Sequence, residues 1–324
     1  MTTPTRSFHA CVDIGGTKVA VSLADAHSAA TRTLHARIAE PTAKQGNNDA
    51  LALQIIRLID ASLAQMNASR SNVASVGISS CGPFVLSQGM VELAAPNICG
   101  GLAGKARGLP NDWQTAKLQA PIAEIYPNVR VENDCIGALE AERQWGALQG
   151  ISNCAYVTWS TGIGMGLCVD GRVLRGKNGN AGHGGHMFVS SNTDALCGCG
   201  NVGDLEGLVA GNAIERRFGQ SAATLFVAPH AVDTAAFSQN RLKIEALCQD
   251  MGRALYNLIV TLDLQRISLG GSVFWHNQDI LLPLLQKEIK GKLPSLTEGC
   301  ELVPAGLGLA VGDLGAMALT QAGA

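Results

Sequence analysis

A chain of 324 residues has room for two domains, and with 47% hydrophobic residues it can bury a sizeable core in each. Charged residues make up only 15%, the net charge is -2 and aromatics are 4%, which argues against both a nucleic-acid face and a stacking platform for single strands. Residues 1–10, MTTPTRSFHA, hold no apolar leader, no later run is long enough to span a bilayer, and the 10 cysteines are mostly scattered singly. The expectation is a cytoplasmic protein without a membrane partner, its thiols reduced.

In chain order, residues 9–23 (HACVDIGGTKVAVSL) read as a β-hairpin: an apolar strand ending at Asp13, a turn Gly15-Gly16-Thr17-Lys18, and a second apolar strand. Such a turn lets backbone N–H groups approach phosphate oxygens without Cβ interference, with a hydroxyl and a charge from Thr17 and Lys18. A plain structural hairpin has the same pattern. Because the turn leads into a strand, it is neither a Walker A loop nor a dinucleotide fingerprint. Residues 49–66 have helical apolar spacing. Residues 73–79 form a buried strand ending at Ser80-Cys81-Gly82-Pro83, and Asn97 in the Ala95-Pro96-Asn97 segment is a usual turn residue.

Residues 128–134 form a short strand delivering Asn133 and Asp134, and a helix bearing Glu140 and Glu142 follows to residue 145. A strand-end carboxylate suits proton abstraction; Asn133 and Asp134 are equally the residue types of a helix cap. Residues 154–169 repeat the strand, glycine turn, strand pattern of the N-terminus, with Ser160-Thr161-Gly162-Ile163-Gly164 at the turn. The two hairpins look like duplicated halves. Residues 208–218 and 243–262 read as helices, 266–273 as a buried strand with the turn Gly270-Gly271-Ser272, and 306–319 as a small-residue helix folding back onto the first domain.

Residues 180–206 (NAGHGGHMFVSSNTDALCGCGNVGDLE) combine metal-ligand types with a glycine scaffold. His186, Cys197 and Cys199 supply an imidazole and two thiolates, with Asp204 at the spacing of a fourth ligand, a set that zinc accepts. This loop also carries a resemblance. The ROK family of repressors and sugar kinases has E-x-G-H, then C-x-C-G-x-x-G-C-x-E; here the elements stand as His183-Gly184-Gly185-His186 and Cys197-Gly198-Cys199-Gly200-Asn201-Val202-Gly203-Asp204-Leu205-Glu206. Asp204 replaces the third zinc cysteine, and His183 replaces a glutamate that contacts sugar. Asp13-Ile14-Gly15-Gly16-Thr17-Lys18 is similar to the phosphate hairpin of the actin-like ATPase superfamily, to which that family belongs.

The resemblance spans essentially the whole chain and implies an α/β fold of two actin-like, ribonuclease H-like domains with a nucleotide and sugar cleft between them. The expected division is residues 1–118 plus 306–324 and residues 119–305. It implies ATP-dependent phosphorylation of a hexose or N-acylhexosamine: Asp134 as base; Gly82, Asn97, Asn133, Asp134, His183, His186 and Glu206 around the sugar; Asp13, Gly15, Gly16, Thr17, Lys18, Thr161, Gly162, Gly164, Gly270 and Gly271 around ATP and Mg²⁺. Zinc on His186, Cys197, Cys199 and Asp204 is structural in this reading, and a homodimer is expected. The family's N-acetylmannosamine kinases share the Ala181-Gly182-His183-Gly184-Gly185-His186 pattern, which favours that sugar over glucose. A sugar-sensing repressor is the competing class; the family's repressors carry a helix-turn-helix ahead of this hairpin, and with the hairpin opening at His9 none is expected.

Overall fold

The apolar N-terminal run forms β1 (Phe8–Ile14) and, after the glycine turn, β2 (Lys18–Asp25), joined antiparallel with Ile14 opposite Val19. The computed structural model describes residues 6–27, 31–103, 108–191, 195–226 and 234–321. The leader expectation at residues 1–5 and the last three residues of the expected first domain lie outside them. The sheet continues through β3 (Leu34–Pro41) at one edge and β4 (Val73–Ser80) on the other side. Between β4 and β8 (Val129–Asn133) lies a small sheet of β5 (Phe84–Ser87), β6 (Met90–Leu93) and β7 (Ala116–Lys117).

The main order is β3-β2-β1-β4-β8, with β1, β4 and β8 parallel, Ile14 opposite Ser80 and Ser80 opposite Asn133. Parallel strands covered on both faces read as continuous apolar runs, and β4 is buried at seven of eight positions. The alternation of β3, by contrast, marks it as a polar edge. Helices α1 (Ala50–Gln65), α2 (Gly100–Ala103), α3 (Gln119–Ala123) and α4 (Asp134–Trp145) accompany this sheet, α1 burying Leu51, Ile55, Leu58, Ile59 and Leu63 at helical spacing.

The second sheet is built from β9 (Cys154–Trp159), β10 (Ile163–Val169), β11 (Arg172–Val173), β12 (Arg266–Gly270) and β13 (Glu301–Pro304). Its order, β11-β10-β9-β12-β13, repeats the first: one antiparallel hairpin, then parallel neighbours. The duplication read from two glycine hairpins is a duplication of whole sheets. Its helices are α5 (Leu205–Val209), α6 (Gly211–Phe218), α7 (Ala222–Leu225), α8 (Thr234–Leu262), α9 (Ser272–Trp275), α10 (Gln278–Ile289) and α11 (Pro294–Thr297), and α12 (Val311–Gln321) ends the fold.

Four boundaries differ from the sequence reading. The helix expected at 208–218 starts earlier, under an Asp204 cap, and breaks at Ala210, whose ψ of 153° is extended. Helix α8 begins at Thr234 rather than 243, and β12 stops at Gly270 so that Val273 is helical. Residues 306 and 307 are not helical, because both backbone N–H groups donate to the buried Glu142 carboxylate at 2.9 Å. Helix α12 therefore starts only at Val311.

Two compact units emerge, one running to Ala141 and regaining Arg175–Asn180 and the stretch from Ala310, the other Glu142–Leu174 plus Ala181–Leu309. Residues 119–141 lie with the first unit rather than the second, since β8 pairs with β4 and α4 starts from it. Helix α12 packs on the first unit at glycines: a Cβ on Gly77 would stand 2.3 Å from the Ala316 carbonyl oxygen, and one on Gly315 would stand 3.0 Å from the Gly137 carbonyl carbon. The 10 cysteines are free, and among the described residues no helix is long and apolar enough to cross a membrane.

Candidate active site and metal centre

The expected site residues fall into two groups, one in each unit. In the first, the parallel strands β1, β4 and β8 bring Asp13, Ser80 and Asn133 to their carboxyl ends, where α/β sheets place ligands. The hairpin turn is closed by the Gly15 N–H donating to the Lys18 carbonyl at 2.8 Å. Thr42, which carries no sequence signal, braces it: its N–H donates to Thr17 O at 3.1 Å and its hydroxyl to Gly15 O at 2.8 Å. The Cys81 N–H donates to Ile14 O at 3.0 Å, so the Cys81-Gly82 corner runs beside the hairpin.

Asn97 reaches the same place. A Cβ on Gly16 would stand 2.3 Å from Asn97 Nδ2, so glycine is required there for close approach rather than for an unusual φ. Asn97 also hydrogen-bonds Cys81, whose thiol is pushed up to about 12 by burial and by the Asp134 and Asp13 charges. Burial, then Asp313 and Asp134, push Asp13 up to about 6, against the pull of Lys18 and Arg37. Asp313 is itself held by Arg37 at 3.1 and 3.2 Å. The charges of Asp313 and Asp134 thus reach Asp13, while among the described residues the group whose ligand atoms meet closely enough to hold a metal is that of His186, Cys197, Cys199 and Asp204. Asp134, exposed at the first position of α4, accepts from Cys135 N–H at 2.8 Å while Asn133 accepts from the same group at 3.0 Å. The capping geometry is thus that of Asn133, with Asp134 the first residue of the helix.

In the second unit, the Ser160-Thr161-Gly162 turn is pinned from three sides. Gly211 N–H donates to Ser160 O at 2.8 Å, Ser160 Oγ lies 3.0 Å from Ser272 Oγ, and Ile163 N–H donates to Glu206 Oε2 at 3.1 Å. Glu206, expected at the sugar, is thus seen bracing the Ser160-Thr161-Gly162 turn, and a Cβ on Gly162 would stand 2.8 Å from its oxygen. Gly164 lies just beyond, in β10 opposite Thr158. Gly270 ends β12 opposite Thr158, and Gly271 turns the chain at φ 86° with no room for a side chain against Trp159 O.

The loop of His183 and His186 lies flat on β10. Met165 N–H donates to Gly182 O at 2.9 Å, and a Cβ on Gly184 or Gly185 would strike Met165 Sδ or Ile163 O at 2.3 and 2.4 Å. The two imidazoles stack with centroids 6.4 Å apart.

His186 Nδ1 stands 3.1 Å from Asp204 Oδ2, 3.8 Å from Cys197 Sγ and 3.6 Å from Cys199 Sγ, and Cys199 Sγ is 3.6 Å from Asp204 Oδ2. A tetrahedron of Zn–N/O and Zn–S bonds has edges of about 3.3–3.8 Å; the four edges given are close to that, and all four ligand atoms lie within 4.8 Å of one another, a set of donors that suits zinc. Burial opposes charge on Asp204, but the Gly207 N–H at 2.8 Å and His186 hold its carboxyl below the usual range. Burial, with Asp204 and Glu206 nearby, pushes the Cys197 thiol up, so a metal must displace its proton.

The ROK family profile matches residues 9–322. The chain belongs to the ROK family. This ROK chain is 32% identical over 249 residues to the N-acetylmannosamine kinase of Haemophilus influenzae, covering 75% of the chain and 74% of that protein. It is 27% identical over 280 residues to the glucokinase of Aeropyrum pernix, covering 78% and 81%. Among solved structures, the ROK hexokinase of Thermus thermophilus superposes with a TM-score of 0.74 at 27% identity, covering 96% of the ROK chain and 97% of that one. Both units accordingly have the actin-like, ribonuclease H-like architecture.

Proposed function

We propose that this ROK chain is an ATP-dependent sugar kinase acting on an N-acylhexosamine, with N-acetylmannosamine preferred to glucose. The kinase reading is carried by the strand-end carboxylate Asp134 in one region with Asp13 and the hairpin turn at Gly15 to Lys18. Phosphoryl transfer asks the protein mainly for positioning and charge. Asp134 accepts the proton of the attacking hydroxyl, whose oxygen then bonds the γ-phosphorus as the bond to the β-γ bridging oxygen breaks. Backbone and side-chain groups of Gly15, Gly16, Thr17, Lys18, Thr161, Gly162 and Gly164 hold the phosphates, and Gly270 and Gly271 flank the adenosine. Bound Mg²⁺, oriented through Asp13, supplies charge neutralisation on the phosphates, and bound zinc supplies a cross-link for the loop that carries His183, His186 and Glu206.

Gly82, Asn97, Asn133, His183, His186 and Glu206 hold the ring in this reading. His186, whose Nδ1 faces Asp204, Cys197 and Cys199 and would hold the metal, would leave its Nε2–H for a sugar hydroxyl. Relatives named N-acetylmannosamine kinase and glucokinase match at comparable identity, 32% and 27%, so the preference rests on His183. A carboxylate accepts hydrogen bonds from adjacent hydroxyls; a neutral imidazole accepts one and donates one, and its N–H suits an amide carbonyl on carbon 2. ADP release over a sugar panel tests the activity. For the sugar, kcat/KM on N-acetylmannosamine and glucose is compared in the native chain and in His183→Glu. A native preference for glucose that the glutamate leaves unchanged or weakens sinks the assignment.

A further inference from the structure

The segment Arg175–Asn180 leaves the second sheet after β11, joins the first unit, and returns as the loop of His183. Both its ends are tied by side-chain hydrogen bonds to that unit, at β8 and at the start of β5. At its start, Arg175 Nε donates to Glu132 Oε1 at 2.6 Å, and the guanidinium also pairs with Glu140 at 3.5 Å. Glu132 is two residues before Asp134, on the strand that delivers it.

At its end, one side chain satisfies both backbone groups of a single residue. Asn180 Oδ1 accepts from Phe84 N–H at 2.8 Å, and Asn180 Nδ2 donates to Phe84 O at 2.7 Å. Phe84 opens β5 directly after the Gly82-Pro83 corner, and its side chain is buried. The primary amide is the side-chain group that carries a donor and an acceptor side by side, so it imitates a neighbouring strand here. Gly179, at φ 78°, lets the chain turn over the Phe84 ring, 3.5 Å from where a Cβ would stand.

We propose that Asn180 is a positioning residue for the sugar. Through Phe84 it fixes the corner that carries Gly82, and it fixes the point from which Ala181-Gly182-His183 departs, three residues before the imidazole that selects the sugar. The inference rests on the kinase reading for its substrate; the clamp itself rests on the two hydrogen bonds.

Asn180→Ala removes both bonds, and Asn180→Asp keeps the shape while turning the donor into an oxygen facing the Phe84 carbonyl. For both variants the KM for sugar rises by about tenfold or more, while the KM for ATP stays within about twofold. A general loss of folded protein lowers the active fraction without splitting the two constants. Amide hydrogen exchange gives a readout independent of turnover: exchange at residues 84–86 and 181–186 accelerates in Asn180→Ala, while the hairpin at residues 8–25 is unchanged. An aspartate variant with native sugar KM, or unchanged exchange at both segments, overturns the proposal. A native chain that releases no ADP with any sugar overturns the kinase reading and the sugar role with it, and the exchange result then decides the clamp alone.

Discussion

Asp13 and Asp134 are carboxylates whose surroundings differ, one hemmed in and one exposed. Asp134 is exposed at the start of α4, where it can meet a hydroxyl. Replacing it with Asn keeps shape and removes basicity, so kcat falls by about 10²-fold or more while sugar binding by calorimetry survives; near-native kcat would remove Asp134 from the role of base. Asp13 is hemmed in, its carboxyl pushed up to about 6 by burial and by Asp313 and Asp134. The folded chain keeps this proton where the unfolded chain, with an ordinary Asp near 3.9, has released it, so stability falls as pH rises from about 4 to about 6. Above that window the deficit persists at no more than about 3 kcal/mol. In metal-free buffer Asp13→Asn therefore unfolds at higher urea than the native chain at pH 7.5, with the gap closing below about pH 4. An unchanged gap across that range counts against the buried-acid account.

At the scale of elements, the short helix α5 shows what the departure from three cysteines changes. Asp204 divides its carboxylate: Oδ1 caps α5 by accepting from Gly207 N–H at 2.8 Å, and Oδ2 faces His186 at 3.1 Å. A thiolate binds zinc more strongly than this carboxylate but is a poor cap. We expect about one zinc per native chain by elemental analysis, released by chelator with loss of sugar binding before loss of the fold. Asp204→Cys should retain zinc more tightly yet, once stripped, be less stable to urea than the stripped native chain by about 1 kcal/mol. No zinc in the native protein, with full activity after chelation, removes the metal from the account.

This loop was readable because its ligands are close in sequence and their chemistry is specific. The hairpins at Gly15 and Thr161 were readable because each strand-turn-strand is local. Thr42, Arg175 and Asn180 gave no signal, since their partners at Gly15, Glu132 and Phe84 are distant in sequence and their residue types are ordinary. The break at Ala210 was hidden for a related reason. Helical apolar spacing runs through it, but Gly211 N–H is drawn to Ser160 O at 2.8 Å, a tertiary bond that interrupts the helix.

At the scale of the molecule, the second unit is closed by a single acid. Glu142, fully buried, accepts from Ala147 N–H at 2.7 Å, Gly306 and Leu307 N–H at 2.9 Å and Ser268 Oγ at 3.2 Å, joining the end of α4, β12 and the stretch after β13. Glu142→Gln turns one of these acceptor oxygens into a donor facing an N–H, and should cost about 2–4 kcal/mol in urea unfolding. An unfolding midpoint within error of native would show that the bonds are dispensable.

Helix α12 gives the first unit a late completion. Ribosomes release a chain from its N-terminus at about 5–20 residues per second, so the whole of Glu142–Leu309 emerges between β8 and the helix that covers Gly77. For an interval on the order of ten seconds the nascent first sheet has its hairpin and parallel strands but lacks the cover over β4 and β1. The second unit has every residue it needs before then. Translation thus reverses the order of the domains: the one synthesised second has all its residues before the first gains its last helix.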